Sequence, residues 1–367
     1  METRLLYQIG ITLIPGIGDV NGKKLVHWFG SAEAVFKAKA KDLLMIPGIG
    51  RKMVQNILHQ KVLRRAEKEI RYIEKNQIRP LFFLDDDFPQ RLLNCYDHPL
   101  MLYYKGKADL NHKRMIAFVG TRRATDYGKE RCREIIDGLL EKDVLVVSGL
   151  AYGIDGCAHR QAVELSIPTV AVLGHGLDRT YPASHRKLAE DMLASGGGLL
   201  TEFLSETIPD RENFPQRNRI VAGMVDAVVV IESGVKGGAL ITAELANSYN
   251  RDVFAVPGRV TDFFSKGCNQ LIKTNKAALV QSADDIGYIM GWENRKNLAG
   301  KQTNLFLEMN ETEKIIYNLL CENGIMGIDK VIVETGFSPS SVSTALLNLE
   351  FNGLVRSLPG KQYKAEI

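Results

Sequence analysis

The 367-residue chain has little cysteine, little tryptophan and no long apolar run. Its five cysteines, Cys95, Cys132, Cys157, Cys268 and Cys321, are scattered and form no Cys-x-x-Cys pair. That argues against a structural zinc site and against a disulfide framework, and it fits a reducing cytosol. No apolar stretch is long enough to cross a bilayer and the N-terminus carries no signal-peptide pattern, so a cytoplasmic protein without a membrane partner is expected. An excess of one charge is also lacking: 47 Lys and Arg face 43 Asp and Glu, a net +4, so global charge does not announce a nucleic-acid partner. No catalytic triad, carboxylate dyad or metal-ligand set stands out, and neither a catalytic residue nor a metal or cofactor is expected. What is present is an ordinary apolar fraction of 45%, enough for real cores, on a chain long enough for two or three domains. The charge is unevenly placed, with Lys and Arg outnumbering Asp and Glu roughly two to one before Lys75.

That basic stretch contains the pentapeptide Ile-Pro-Gly-Ile-Gly twice, from Ile14 and from Ile46. Pro15 and Pro47 cannot continue a helix, and the glycines permit positive φ or close backbone approach. Each turn precedes apolar residues at helical spacing, Val20, Leu25 and Val26 in one case and Met53, Val54, Ile57 and Leu58 in the other. A glycine turn that opens a helix points free N–H groups outward, a geometry suited to phosphate. Lys23, Lys24, Arg51 and Lys52 lie just inside these helices. The pattern is that of a tandem helix-hairpin-helix (SAM-like) domain, expected over residues 1–76 and holding nucleic-acid backbone without reading bases.

Residues 77–112, broken by Pro80, Pro89 and Pro99 and rich in Phe, Tyr and Leu, read as a connector packed on the next domain, with one short strand in "MLYYKG". From Met115 the pattern changes. "MIAFVG", "VLVVSG", "PTVAVLG", "GLLTEF", "DAVVVIES" and "DVFAVPG" are continuous apolar strands bounded by glycine and separated by helical runs. Such strands belong to a parallel sheet covered on both faces. The expected fold over 113–290 is therefore α/β, a Rossmann-like doubly wound and mostly parallel sheet, which binds ligands beyond the C-terminal strand ends. A polar linker is expected over 291–308 and a winged-helix domain over 309–367, its last helix starting near Ser338.

Three stretches carry candidate binding chemistry. In "AFVGTRRATDYG", Gly120, Thr121, Arg122 and Arg123 occupy a strand-to-helix turn, where two guanidinium groups beside free N–H groups make a phosphate site. The turn has neither the dinucleotide Gly-x-Gly-x-x-Gly spacing nor the Gly-Lys-Ser/Thr of a P-loop. In "ENFPQRNRIVAG", Phe214 precedes Arg217, Asn218 and Arg219 at a helix start, a ring to stack on a base beside charges for phosphates. In "SGVKGGALITAELA", Gly237 and Gly238 precede a helix with Thr242 and Glu244, a third backbone cradle. That loop partly resembles the Pro-Gly-Gly-x-Gly-Thr-x-x-Glu motif of nucleotide-monophosphate phosphoribohydrolases, but Lys236, Leu240 and Ile241 replace its Pro, third Gly and Thr. His159 with Asp155, and His175 with Asp178, are weaker candidates.

"GTRRATDYG", "VSGLAYGIDGCAHRQAV", "TVAVLGHGLDRTYP", "ENFPQRNRIVAG" and "VFAVPGRV" with "SKGCNQLI" together resemble, in order, the DprA/Smf family of DNA-processing proteins over roughly Pro89 to Met290. The resemblance implies a single-stranded DNA-binding Rossmann-like domain and a homodimer formed through it. It further implies protection of incoming DNA and loading of the RecA recombinase in natural transformation. Carried over, the pocket includes Gly120, Thr121, Arg122, Arg123, Phe214, Arg217, Asn218 and Arg219, with Gly237-Gly238 standing where the family usually reads Ser-Gly-Ser. Two other functions compete. One is a phosphoribohydrolase-like enzyme using the Gly237-Gly238 loop. The other is a winged-helix transcription regulator, opposed by a third helix, "SPSSVSTALLNLE", that holds no Lys or Arg.

Overall fold

The computed structural model describes residues 2–292, 309–358 and 361–365. Two compact units divide the chain, Met1–Glu293 and Asn294–Ile367. The first unit begins with helices Glu2–Thr12, Asp19–Phe29, Ala32–Lys37, Ala40–Leu44, Arg51–Leu58 and Leu63–Lys75. The repeated pentapeptide has a packing reason. Ile14, Ile17, Ile46 and Ile49 are all buried, so each turn is pinned at both isoleucines, while Gly16 (φ +79°) and Gly48 (φ +89°) take the left-handed conformation between them. Gly18 and Gly50 then start helices with no side-chain cap.

A nine-stranded sheet follows. Its strands are β1 (Arg79–Phe82), β2 (Met101–Gly106), β3 (Met115–Val119), β4 (Leu145–Ser148), β5 (Thr169–Val172), β6 (Gly198–Thr201), β7 (Ala227–Val230), β8 (Asp252–Ala255) and β9 (Ala278–Leu279). The order is β1-β2-β6-β5-β4-β3-β7-β8-β9. From β6 to β9 every pairing is parallel. The sheet is thus the doubly wound one expected, and β3 to β7 are buried at every position. Helices cover both faces, Asp126–Gly138 and Ile154–Glu164 on one and Asn213–Gly223 and Gly238–Ser248 on the other. The chain runs outward from β3 through β4 and β5 to β6, then returns to add β7 on the other side of β3. The order reverses at that point, so the loops after β3 and β7 frame a crevice beyond their carboxyl ends.

The connector differs from expectation. Its β2 pairs antiparallel with β6, and β1 pairs antiparallel with β2, so it extends the sheet rather than lying on it. Pro80 sits in β1, the edge strand, where its missing N–H removes no interior ladder bond.

The second unit has helices Glu311–Asn323, Ile328–Thr335 and Pro339–Phe351 and a small antiparallel sheet of Met326–Gly327, Val355–Leu358 and Gln362–Ala365. This is a winged helix around Ile316, Leu320, Val331, Val342, Leu346 and Leu349. Ser338 caps its last helix, accepting from Ser341 N at 3.2 Å. The linker expected over 291–308 falls almost wholly outside the described residues. Among the described residues no helix is long and apolar enough to cross a membrane.

Candidate nucleic-acid interface

The loop after β3 is built around a buried carboxylate. Glu232, just past β7, accepts from Thr125 N (2.9 Å) and from Thr125 Oγ1 (2.5 Å). Thr121 N donates to Glu232 O at 2.8 Å. Thr125 also caps helix Asp126–Gly138, accepting from Gly128 N. Glu232 therefore ties the two loops of the switch point together. Gly120 has no room for a side chain, since a Cβ there would meet Ile154. With that loop fixed, Arg122 and Arg123 project to solvent, and the Arg122 guanidinium lies 5.1 Å from the Phe214 ring centroid.

Helix Asn213–Gly223 brings in the second motif. Arg217 is only 5% exposed, and its Nε has no hydrogen-bond partner among the described residues. Its Nη1 packs on Gly149 so closely that a Cβ there would overlap it. Asp155 and Arg122 are the charges that act on it. The Asp155 carboxyl accepts from Gly149 N (3.1 Å) and Ala151 N (3.4 Å). Burial raises its pKa, and the Arg217 charge opposes that rise. Burial likewise lowers the pKa of Arg217. A guanidinium out of water with an unsatisfied N–H is costly unless an anion completes it. Asn218, half-buried, has its amide close to Gly238, so the second and third motifs meet. Gly237 leads into helix Gly238–Ser248 with no side-chain cap, and Lys236 is exposed beside it.

Three of the expected contacts, and the residue on which the enzymatic alternative rests, are placed differently. Arg219 donates to Asp97 O, Asp19 and Glu202; it fastens the helical domain and connector to the sheet and has no guanidinium free for phosphate. Lys23 is buried, its Nζ donating to Tyr96 O (3.1 Å) and His98 O (3.0 Å), with burial lowering its pKa. Thr242 is buried and its hydroxyl donates to Gly238 O within its own helix. Glu244, the residue an enzymatic reading needs, is exposed and pairs with Lys276 at 3.4 Å. Lys24, Arg51 and Lys52 are exposed on the hairpins.

His159 Nδ1 meets Thr169 Oγ1 at 2.7 Å in the core, a structural role. His175, also buried, accepts from Tyr181 N at 3.3 Å and donates from Nδ1 to Gly176 O at 2.9 Å. Glu232 and Gly149 escaped the sequence reading. The one signal for Glu232 is an acid closing an apolar strand, and for Gly149 nothing local distinguishes it from a strand-ending glycine.

The chain is similar to known proteins in sequence and fold. The family model for DNA recombination-mediator protein A matches residues 79–290, that for the DprA winged helix domain 308–361, and that for the SAM-like helix-hairpin-helix tandem 10–60. Protein Smf of Synechocystis is 32% identical over 98% of each chain. The DNA processing protein DprA of Streptococcus pneumoniae is 41% identical over 55% of this chain and 71% of its own. The crystal structure of the Streptococcus pneumoniae DprA superposes with a TM-score of 0.66 at 32% identity, covering 77% of this chain and 96% of that one. A DprA structure from Helicobacter pylori, described for its single-stranded DNA binding mode, gives 0.53 at 27% identity over 58% of this chain and 95% of that one.

Proposed function

The chain belongs to the DNA recombination-mediator protein A family, and from that premise we propose that it holds single-stranded DNA in the crevice at the carboxyl ends of β3 and β7. The observation that carries the reading is Arg217, a buried guanidinium at the floor of a cationic crevice whose Nε has no partner among the described residues. Arg122, Arg123 and Lys236 line the rim and the free N–H groups at Gly238 complete it. A phosphodiester oxygen supplies the missing acceptor and the compensating charge at once. The half-buried Phe214 ring supplies a π-face for a base. Lys24, Arg51 and Lys52 on the hairpins add sequence-blind contact with the backbone.

The strand so held is protected in the cytoplasm and passed to the RecA recombinase by a homodimer, in DNA transformation and recombination. The protein acts as a mediator, not an enzyme. The departures from the phosphoribohydrolase motif, Lys236, Leu240 and Ile241 in place of its Pro, third Gly and Thr, support that. Binding is tested by fluorescence anisotropy on labelled single and double strands across a salt series. Single strands bind more tightly, with affinity falling steeply as salt rises; equal affinity for duplex overturns the reading. RecA filament formation on single strands pre-coated with single-strand binding protein tests the loading step.

A further inference from the structure

Phe214 is half-buried and offers only part of its ring as a platform. Its ring packs against Gly174, where a Cβ would sit 3.1 Å from it, and it lies under the Arg122 guanidinium. Freer rings stand on two other loops, one beside Phe214 and one joined to that loop through Ser184 and His185. Tyr181, after β5, is 44% exposed, with its ring centroid 6.0 Å from that of Phe214. Tyr152, after β4, is 48% exposed. Its ring packs on His185 at 5.3 Å and its hydroxyl accepts from Ser184 at 3.3 Å. His185 Nδ1 in turn meets Leu150 O at 2.9 Å, joining the loop after β4 to the turn that follows Tyr181. The backbone of Tyr181 is held by the buried His175 imidazole. The Tyr152 ring and the Tyr181 backbone are thus held from behind and both rings are open in front, next to a crevice whose cations form no ion pair with a described carboxylate.

We propose that Tyr181 and Tyr152 extend the crevice into a base-stacking track, so that a single strand laid with its phosphates at Arg217 and Arg122 sets successive bases on Phe214, Tyr181 and Tyr152. This rests on the single-strand reading above. Large exposed aromatic rings cost solvation, and a nucleobase is the partner that matches both their flat faces and the adjacent positive charge. The track runs across the ends of β5 and β4, away from the switch point. It therefore lengthens the site rather than deepening it, and it reads no sequence because every base offers a π-face.

The test compares wild type with Tyr181→Ala, Tyr152→Ala, the double variant and the matching Tyr→Phe changes. The probes are a labelled oligothymidylate and an oligomer of the same length made of abasic deoxyribose phosphates. Each Tyr→Ala change weakens oligothymidylate binding on the order of tenfold, leaves the salt slope unchanged because no charge is removed, and has no effect on the abasic oligomer. Tyr→Phe restores binding. Thermal melting, expected to be unchanged at these exposed positions, excludes unfolding. If the double variant binds oligothymidylate as wild type does while Arg217→Ala binds it more weakly, the track is overturned and the crevice stands. If Arg217→Ala also binds normally, the crevice itself is wrong.

Discussion

Two places in this molecule advertise the same sequence signals and use them oppositely. At the seam between the helical domain and the sheet, cations are consumed: Arg219 by Asp19, Asp97 and Glu202, Lys23 by two carbonyls, Arg65 by Glu69 and Ser205. In the crevice, Arg122, Arg123, Arg217 and Lys236 form no ion pair with any described carboxylate. Arg217 and Arg219 are two residues apart on one helix and face these two regions. A cation whose acceptors are already in the chain must break them to take a phosphate. One left without acceptors is ready for a ligand. Glycine turns and basic residues are therefore not enough to mark a binding site; the anions that surround them decide.

Replacing the arginines one at a time separates the two regions. Arg219→Ala leaves the Glu202 carboxylate, and the half-buried Asp19, without their cation, and above the pH at which Glu202 ionises stability should fall by roughly 3–5 kcal/mol, the range for breaking a buried pair. Chemical denaturation reads that loss, and single-strand affinity of the remaining folded protein stays near wild type. The seam also carries a pH signature. Burial pushes the Glu202 carboxyl up to about 7, against the opposing charge of Arg219. A raised carboxyl pKa gives stability that is fully present below the unfolded value and is lost as pH rises through about 7. Glu202→Gln should therefore gain on wild type between pH 5 and pH 8, by up to about 3 kcal/mol at 1.36 kcal/mol per unit. A difference that stays flat over this range would show that the carboxylate remains ionised against Arg219.

Arg217→Ala does the reverse of Arg219→Ala. It should cost about 1–3 kcal/mol of single-strand affinity, the range for a hydrogen bond to a charged group, and it breaks no ion pair among the described residues. Gly149→Ala reaches the same end without touching the cation, because the added Cβ occupies the place of Nη1 and pushes the guanidinium off its seat. If both variants bind as wild type does, the crevice is as passive as the seam and the comparison collapses.

How far this was legible follows from where the partners lie. The parallel strands were readable because burial on both faces makes them continuous apolar runs. In the crevice, Arg122 was readable because its glycine turn and neighbouring arginine are adjacent in sequence. β1 was not, since Pro80 hides a strand that only an edge position tolerates. The role of Arg219 was also hidden: its acceptors lie 17, 122 and 200 residues away. Those of Lys23 lie 73 and 75 away. Local pattern supplies the cation, and only the fold supplies what neutralises it.

The smallest effect belongs to the winged helix. Its last helix, Pro339–Phe351, carries the exposed Leu347 and, at 92% exposure, Phe351 one turn apart, with no Lys or Arg along its length. Between Asn310 and Ile367 acidic residues slightly outnumber basic ones, and the basic side chains of the wing, Arg356, Lys361 and Lys364, are its only cationic cluster. Binding to a polyanion is driven by cations that release counterions. A recognition helix without them offers no such term, and a wing alone grips weakly. The unit has a core of its own, so removing residues 305–367 should leave the first unit folded. Single-strand affinity and its salt slope should then stay within about twofold of the full chain, since the crevice cations all remain. A truncated protein that keeps its melting transition but loses most of its single-strand binding would move the electrostatic grip from the crevice to the wing.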